Sequence, residues 1–478
     1  MVNKPYILAI DIGTTKIKLA IFDSTGNLLD YTFSEYPLDI KGDEIVEQNP
    51  LNWIDGFEKC INRLRERGKL RYVRSISVIG QAPTVVFVEK SGKVLRNAIL
   101  WLDKRAQREK DHLARLGLPF DPRYQSLAHI LWIASHEQEI YDKTSYFLQP
   151  YDFLNLYFTG IPTSSGIPHR DYMPWSKDDA KLLGLSPDKF LDITPMGTPI
   201  GTLKFNLRRE WGIEDDVIVV SGGIDFIGAL LGTATLKPGI LCDRGGGSEG
   251  ITVCAEKGLP SSEKRISSVR FFLPNAWKIS GITNTSGKAI DWVKELFEIR
   301  SYQELFKIAK KSPSGSRNLV FLPYLLGERS PHWDPFAKGV FFGLTLFHKK
   351  EDILRSVLEG IVYSIREIYE IILSHGIEVK HFRTTGGLSK SDFFNQLKAD
   401  ILGIPVEVPY ISDGELLGAA MIAGMGIGLY KDLKEASSNM YRPRRILYPN
   451  PLKKPLYDEL FSVYKSLYPD LAQKFRYL

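Results

Sequence analysis

The chain has 478 residues, 44% of them hydrophobic and 25% charged, with 62 basic against 56 acidic side chains and a net charge of +6. Such a composition belongs to an ordinary soluble globular protein, with room for about three domains at roughly 150 residues each, and it excludes disorder, coiled coil and collagen. The positive surplus forms no basic stripe beyond Arg442-Pro443-Arg444-Arg445 and Lys453-Lys454, so no nucleic-acid partner is expected.

At the N-terminus, Met1-Val2-Asn3-Lys4 runs straight into the strand-like stretch from Tyr6 to Ile10, leaving no room for a signal peptide. The longest apolar stretch, from Val217 to Leu236, is broken by Asp225 and several glycines and falls short of a membrane span. A cytoplasmic protein with no membrane partner is the expectation. Cys60, Cys242 and Cys254 stand far apart in apolar surroundings and read as small core residues.

In chain order, the apolar run from Tyr6 to Ile10, the turn Asp11-Ile12-Gly13-Thr14-Thr15 and the alternating stretch from Lys16 to Phe22 predict a strand hairpin. Asn49-Pro50 followed by Trp53, Ile54, Phe57 and Ile61 predicts a capped amphipathic helix. The stretches from Arg74 to Ile79 and from Thr84 to Val88 predict two more strands. The run from Val217 through Ser221-Gly222-Gly223-Ile224 predicts a buried strand that delivers Asp225 to the start of a small-residue helix, where open α/β sheets place their ligands. An N-cap aspartate is the structural alternative.

The stretch from Gly239 to Cys254 repeats the strand-turn-strand plan of the N-terminus, and Asp11 and Asp243 stand close to half the chain apart. An internal duplication is the expectation, giving two α/β domains that each open on a hairpin. Turns rich in glycine and small polar residues expose successive N–H groups that can hold phosphate oxygens. A third glycine loop, from Arg383 to Ser391, precedes a helix carrying Phe393, Phe394, Leu397 and Ile401; Gly386-Gly387 lets the backbone come close to a flat ring or a phosphate.

Taken in order, these motifs resemble those of the FGGY carbohydrate kinases, the sugar-kinase branch of the actin-like ATPase superfamily. Asp11-Ile12-Gly13-Thr14-Thr15 with Lys18 resembles the first phosphate motif, and Gln81 with Trp101-Leu102-Asp103-Lys104-Arg105 resembles the acceptor-side segment, at a spacing like that of the xylulokinase-like branch. Gly223-Ile224-Asp225 matches the place of the catalytic aspartate, Gly246-Gly247-Ser248 the second phosphate motif, and Gly386-Gly387 the adenosine motif. Gly327-Glu328-Arg329-Ser330-Pro331 resembles the family's G-E-R-x-P run, and Gly339 to Leu344 with Asp352-Ile353 and Ser356 to Glu359 its C-terminal signature.

The resemblance implies an α/β fold of two actin-like (ribonuclease H-like) ATPase domains flanking a nucleotide cleft, an N-terminal one over 1–238 and a C-terminal one over 239–478. It implies phosphoryl transfer from ATP, with Mg²⁺, to a hydroxyl of a small sugar or polyol, D-xylulose or another ketose first, and a homodimer such as many relatives form. By the same resemblance Asp225 is the catalytic base, and Gln81, Thr84, Trp101 and Asp103 join it in contacting the acceptor. Gly13, Thr14, Thr15, Lys18, Gly246, Gly247, Ser248, Gly287, Gly386, Gly387 and Ser391 would hold the nucleotide, and Asp11 the Mg²⁺, directly or through water.

The sequence also departs from the family. Gln81 is followed by Ala82-Pro83-Thr84, where xylulokinases carry Met-His and glycerol kinases Arg-Glu, which removes a polar contact and leaves glycerol or another polyol open as acceptor. Gly247 stands where the second phosphate motif usually has Thr. The segment from Thr163 to Arg170 fits its family pattern poorly and contributes no site residue, and His129 reads as structural. These departures motivate a second reading, a non-catalytic actin-like nucleotide-binding sensor.

Overall fold

The computed structural model describes residues 5–118, 122–169 and 172–478, so Met1 to Lys4 and Arg170 lie outside the described residues. The chain forms two compact units, residues 1–232 with 414–440 and residues 233–413 with 441–478. A single cut at 238 therefore misses the return of 414–440 to the first unit.

The first unit is built on a six-stranded sheet whose order is Pro199–Thr202, Ile218–Ile224, Val73–Gly80, Tyr6–Ile12, Lys16–Phe22, Leu28–Glu35. Tyr6–Ile12 lies in the middle, antiparallel to Lys16–Phe22 and parallel to Val73–Gly80. It is covered on both faces, which is why it reads as an unbroken apolar run, whereas the edge strand Leu28–Glu35 alternates towards its end. Helix Pro50–Glu66 starts where Asn49 Oδ1 accepts from Leu51 N at 3.0 Å, and it lays Trp53, Phe57, Cys60, Ile61 and Leu64 on the sheet. Phe57 packs against Phe158 and Trp211 with ring centroids 5.0 and 5.2 Å away.

The second unit repeats this plan in a seven-stranded sheet ordered Ser267–Arg270, Trp277–Ile282, Glu249–Ala255, Ile240–Gly245, His381–Gly386, Val406–Pro409, Pro443–Leu447. Ile240–Gly245 is again antiparallel to the next strand and parallel to a later one. In both sheets a third parallel strand lies beyond that one, and an antiparallel edge strand closes that side. The two hairpins thus head separate sheets of like topology, as a duplication requires. Helix Lys350–Ser374 runs through this unit's core, and its signature residues are structural. Asp352 Oδ2 accepts from Lys349 N at 2.9 Å, and Glu359 accepts from Gly315 N at 3.1 Å and Ser316 Oγ at 2.7 Å.

Helix Gly414–Gly426 is buried over nearly its whole length, packed on four strands of the first sheet and on helix Asp225–Gly232. The two helices meet backbone to backbone through glycines. A Cβ added at Gly418 would lie 2.1 Å from the Gly228 carbonyl oxygen, and one at Gly232 would lie 2.0 Å from that of Gly414. Cys60, Cys242 and Cys254 are buried, and none of them forms a disulfide among the described residues. Among the described residues, no helix is long and apolar enough to cross a membrane.

Candidate active site

In the first unit, Asp11 stands one residue before the end of its strand, directly opposite Lys18, whose Nζ lies 2.9 Å from Asp11 Oδ2. Gly13 N donates to Lys16 O at 3.0 Å, closing the turn, and Tyr36 OH donates to Gly13 O at 2.5 Å. Burial and the Asp11 charge push the Tyr36 hydroxyl well above its usual range, keeping it a donor. Thr14 is held at both ends: Gln48 Nε2 donates to its carbonyl at 2.9 Å, and Trp101 Nε1 to its hydroxyl at 3.1 Å. Thr15 is exposed beyond it.

Gln48 is the residue that sequence reading missed. Its Oε1 accepts from Trp53 Nε1 at 2.8 Å and from Gln81 Nε2 at 3.1 Å, while Gln81 N donates to Ile12 O at 2.8 Å. One buried carboxamide thereby ties the Asp11 turn to Gln81. A lone Gln before Asn-Pro carries no sequence signal for that task.

The other acceptor-side candidates separate. Trp101 is at the surface, 37% exposed, whereas Asp103 is 1% exposed and its carboxylate is fully engaged. Arg105 Nε donates to Asp103 Oδ1 at 2.9 Å and Nη2 to Oδ2 at 2.7 Å, and Val46 N adds a bond at 2.8 Å. Arg105 also meets Glu47, which Arg96 pairs as well. His129, wholly buried 3.9 Å from Asp103, is kept neutral because burial lowers its pKa to about 4. Thr84 N donates to Gln149 Oε1 at 3.0 Å. Around them, Gln81 Oε1, Thr84 Oγ1 and Gln149 Nε2 are buried with no hydrogen-bond partner among the described residues. Buried donors and acceptors left over in this way suit a hydroxylated guest or bound water.

Asp225 stands at the C-terminal end of a parallel strand. The register of Ile218–Ile224 shifts between Val220 and Gly223, and Gly222 presses so close to Val73–Gly80 that a Cβ there would lie 1.8 Å from Val78 O. Only glycine fits that approach. Asp225 then opens its helix and accepts from Phe226 N at 2.5 Å. The segment Ser164–Gly166, set aside on sequence grounds, lies next to this strand, with Gly166 Cα 4.0 Å from the place a Gly223 Cβ would take. Tyr151, buried nearby, has its hydroxyl pushed well above its usual range by burial and by the charges of Asp152 and Asp225.

Asp152 accepts from Ser165 N at 2.7 Å, and burial raises its carboxyl to about 8. The unfolded chain releases this proton near 3.8, so between these values the folded state holds one proton more and stability falls as pH rises. Asp152→Asn, which keeps the acceptor oxygen, is expected to flatten the decline of melting temperature between about pH 5 and 8. Parallel wild-type and variant curves in thermal unfolding would show that the carboxyl is already ionised in the fold.

In the second unit, three glycine segments meet. Gly246 O accepts from Gly287 N at 2.9 Å, and Gly247 O accepts from Ser286 N at 2.9 Å and Lys288 N at 3.1 Å. A Cβ at Gly287 would lie 2.4 Å from Gly246 O, and one at Gly386, whose φ is +86°, would lie 2.1 Å from Gly245 O. Gly246, Gly247 and Gly387 are exposed, Ser248 is half-buried, and Ser391 caps helix Asp392–Leu402 by accepting from Phe394 N at 3.2 Å. Glu328, raised to about 8 by burial, braces this region through Asn284 N at 2.7 Å. The phosphate-motif residues therefore form one group in each unit.

Two family models, for the N-terminal and C-terminal domains of the FGGY family of carbohydrate kinases, match residues 6–232 and 252–427. The chain belongs to the FGGY family of carbohydrate kinases. A xylulose kinase of Staphylococcus epidermidis is 28% identical, the match covering 98% of either chain. A gluconokinase of Bacillus subtilis is also 28% identical, over 89% of this chain and 87% of its own. Ligand-bound xylulose kinase from Lactobacillus acidophilus has the same fold, with a TM-score of 0.85 at 24% identity, covering 98% of this chain and 99% of its own. The two repeated α/β units are thus the paired actin-like ATPase domains of an FGGY kinase, a phosphotransferase with ATP as donor and an alcohol group as acceptor.

Proposed function

We propose that this FGGY kinase phosphorylates a small sugar or polyol, D-xylulose first among the acceptors, using ATP and Mg²⁺. The observation that carries the reading is the placement of Asp225. It sits at a strand end shaped by a glycine bulge, in the unit where buried Gln81, Thr84 and Gln149 atoms lack hydrogen-bond partners among the described residues. Asp225 would take the proton of the acceptor hydroxyl as its oxygen bonds to the γ-phosphorus and the bond to the β-phosphate oxygen breaks. Thr14, Thr15 and Lys18, and likewise Gly246, Gly247 and Ser248, would offer donors to phosphate oxygens. Gly287, Gly386, Gly387 and Ser391 would seat the adenosine. Trp101 and Gln81 face the acceptor, and Asp103 acts by clamping Arg105 and the Val46 backbone.

Asp11 offers one hard carboxylate beside the phosphate turn, the kind of ligand Mg²⁺ takes alongside phosphate oxygens and water. Asp11 would hold the ion there, and a bound Mg²⁺ would supply charge neutralisation at the phosphates. Asp11→Asn is expected to raise the Mg²⁺ midpoint for turnover by about tenfold, roughly 1.4 kcal/mol of lost interaction. Lys18→Met is expected to raise the KM for ATP while leaving that midpoint in place. An unmoved midpoint in Asp11→Asn removes the residue from the metal site. We place the reaction in the cytoplasm.

An ADP-release assay with D-xylulose, D-gluconate and glycerol tests the acceptor. D-xylulose is expected to lead in kcat/KM by about tenfold or more, the scale set by one or two polar contacts. Failure of every acceptor to raise ADP release above the ATP-only rate would favour the sensor reading.

A further inference from the structure

Beneath the second unit's glycine turn lies a fully buried charged triad. Lys398, on helix Asp392–Leu402, is 1% exposed, and its Nζ lies 2.5 Å from both Asp243 Oδ2 and Glu249 Oε1. The other oxygen of Glu249 accepts from Ser286 Oγ at 2.5 Å, and Glu249 N donates to Thr283 Oγ1 at 3.1 Å. Asp243 and Glu249 stand on the two strands of the hairpin that carries residues 245–248, Glu249 paired with Gly245 and Asp243 with Ile251. Ser286 immediately precedes Gly287, whose N–H bonds Gly246 O. A Cβ at Gly245 would lie 3.2 Å from Glu249 Oε1, so the carboxylate rests directly against the turn.

Three charges without water are costly unless each is matched. Burial and the neighbouring Glu249 push the Asp243 carboxyl well above its usual range. Glu249, which burial alone would raise, is brought below its usual range by Lys398, Asp243 and Ser286. Lys398 touches both carboxyl groups and Ser286 reaches Glu249, so each of the three buried groups has a polar partner. A fold that needed only a filled core could place three apolar side chains there. Polar and directional, this triad instead reaches the turn, the start of helix Gly287–Leu296 and the helix after the 386–391 loop.

We propose that Lys398, acting through Glu249 and Asp243, is a positioning residue for nucleotide binding that locks residues 245–248 to the Ser286-Gly287 helix start. This rests on reading those glycine segments as nucleotide-binding. The ammonium draws Glu249 inward, Glu249 fixes Ser286, and Ser286 and Gly287 hold the carbonyls of Gly247 and Gly246. With these carbonyls tied back, the turn keeps one backbone conformation before any ligand arrives, and binding spends nothing on ordering it.

The test is titration of MgADP into the full-length chain by calorimetry, with thermal unfolding alongside. Lys398→Met is expected to raise the Kd for ADP and the KM for ATP by about tenfold, leaving the KM for D-xylulose within about twofold. Because Lys398→Met strands a buried carboxylate, the double variant Lys398→Met, Glu249→Gln removes the stranded charge too. It is expected to melt near the wild type and still bind ADP weakly. If the folded double variant binds ADP as tightly as the wild type, the triad only fills the core and the proposal falls. If the wild type itself binds no ADP, it is the nucleotide-site reading that fails.

Discussion

Asp225→Ala is expected to lower kcat by about a thousandfold with every acceptor, the middle of the range for removing a positioned general base. Affinity for ADP should stay within about twofold, because the residue's task lies in proton transfer. Asp225→Asn, equal in shape but unable to take the proton, should be nearly as slow. This comparison separates the base from the helix cap, since asparagine caps a helix as well as aspartate does. Single-turnover ADP formation measures the chemical step directly. A variant within about tenfold of the wild type would leave Asp225 with the capping role alone.

Gly418→Ala is expected to damage stability and turnover together. Its new Cβ would sit 2.1 Å from the Gly228 carbonyl oxygen, so helix Gly414–Gly426 and helix Asp225–Gly232 must move apart. Overpacking of this kind costs about 1–3 kcal/mol. The displaced helix begins with Asp225, and a 1 Å misplacement of a catalytic group costs about a hundredfold in rate. Thermal unfolding should show a lower melting temperature, and assays below that temperature a kcat reduced by about a hundredfold. Unchanged values in both would mean that the two helices do not meet through their backbones.

Much of the candidate site was legible because its residues lie close together in the chain. The run from Tyr6 to Phe22 alternates and turns within a few residues, so hairpin and phosphate turn could be read together, and the same pattern around Asp243 disclosed the duplication. Asp225 was legible from the strand and glycine pair before it. Gln48 was not, since its value comes from Thr14, Trp53 and Gln81 converging on one carboxamide. Ser164–Gly166 was set aside because its residues do not match a pattern, yet its backbone adjoins the Asp225 strand. Asp103 was legible as a motif residue, but the structure commits both its oxygens to Arg105 and Val46.

The repeated hairpin and the glycine turns marked the chain by themselves as a duplicated α/β protein, and the ordered motifs carried the resemblance to the FGGY carbohydrate kinases that the family models bear out. Those signals survive in one dimension because a strand, a tight turn and a phosphate loop are each made by neighbouring residues. Tertiary structure alone decided that residues 414–440 complete the first unit and that four glycines press the Asp225 helix into place. It alone decided, too, that Lys398 reaches beneath a turn some 150 positions earlier in the chain. Close packing and buried charge pairing join residues by distance in space, and no periodicity along the chain encodes them.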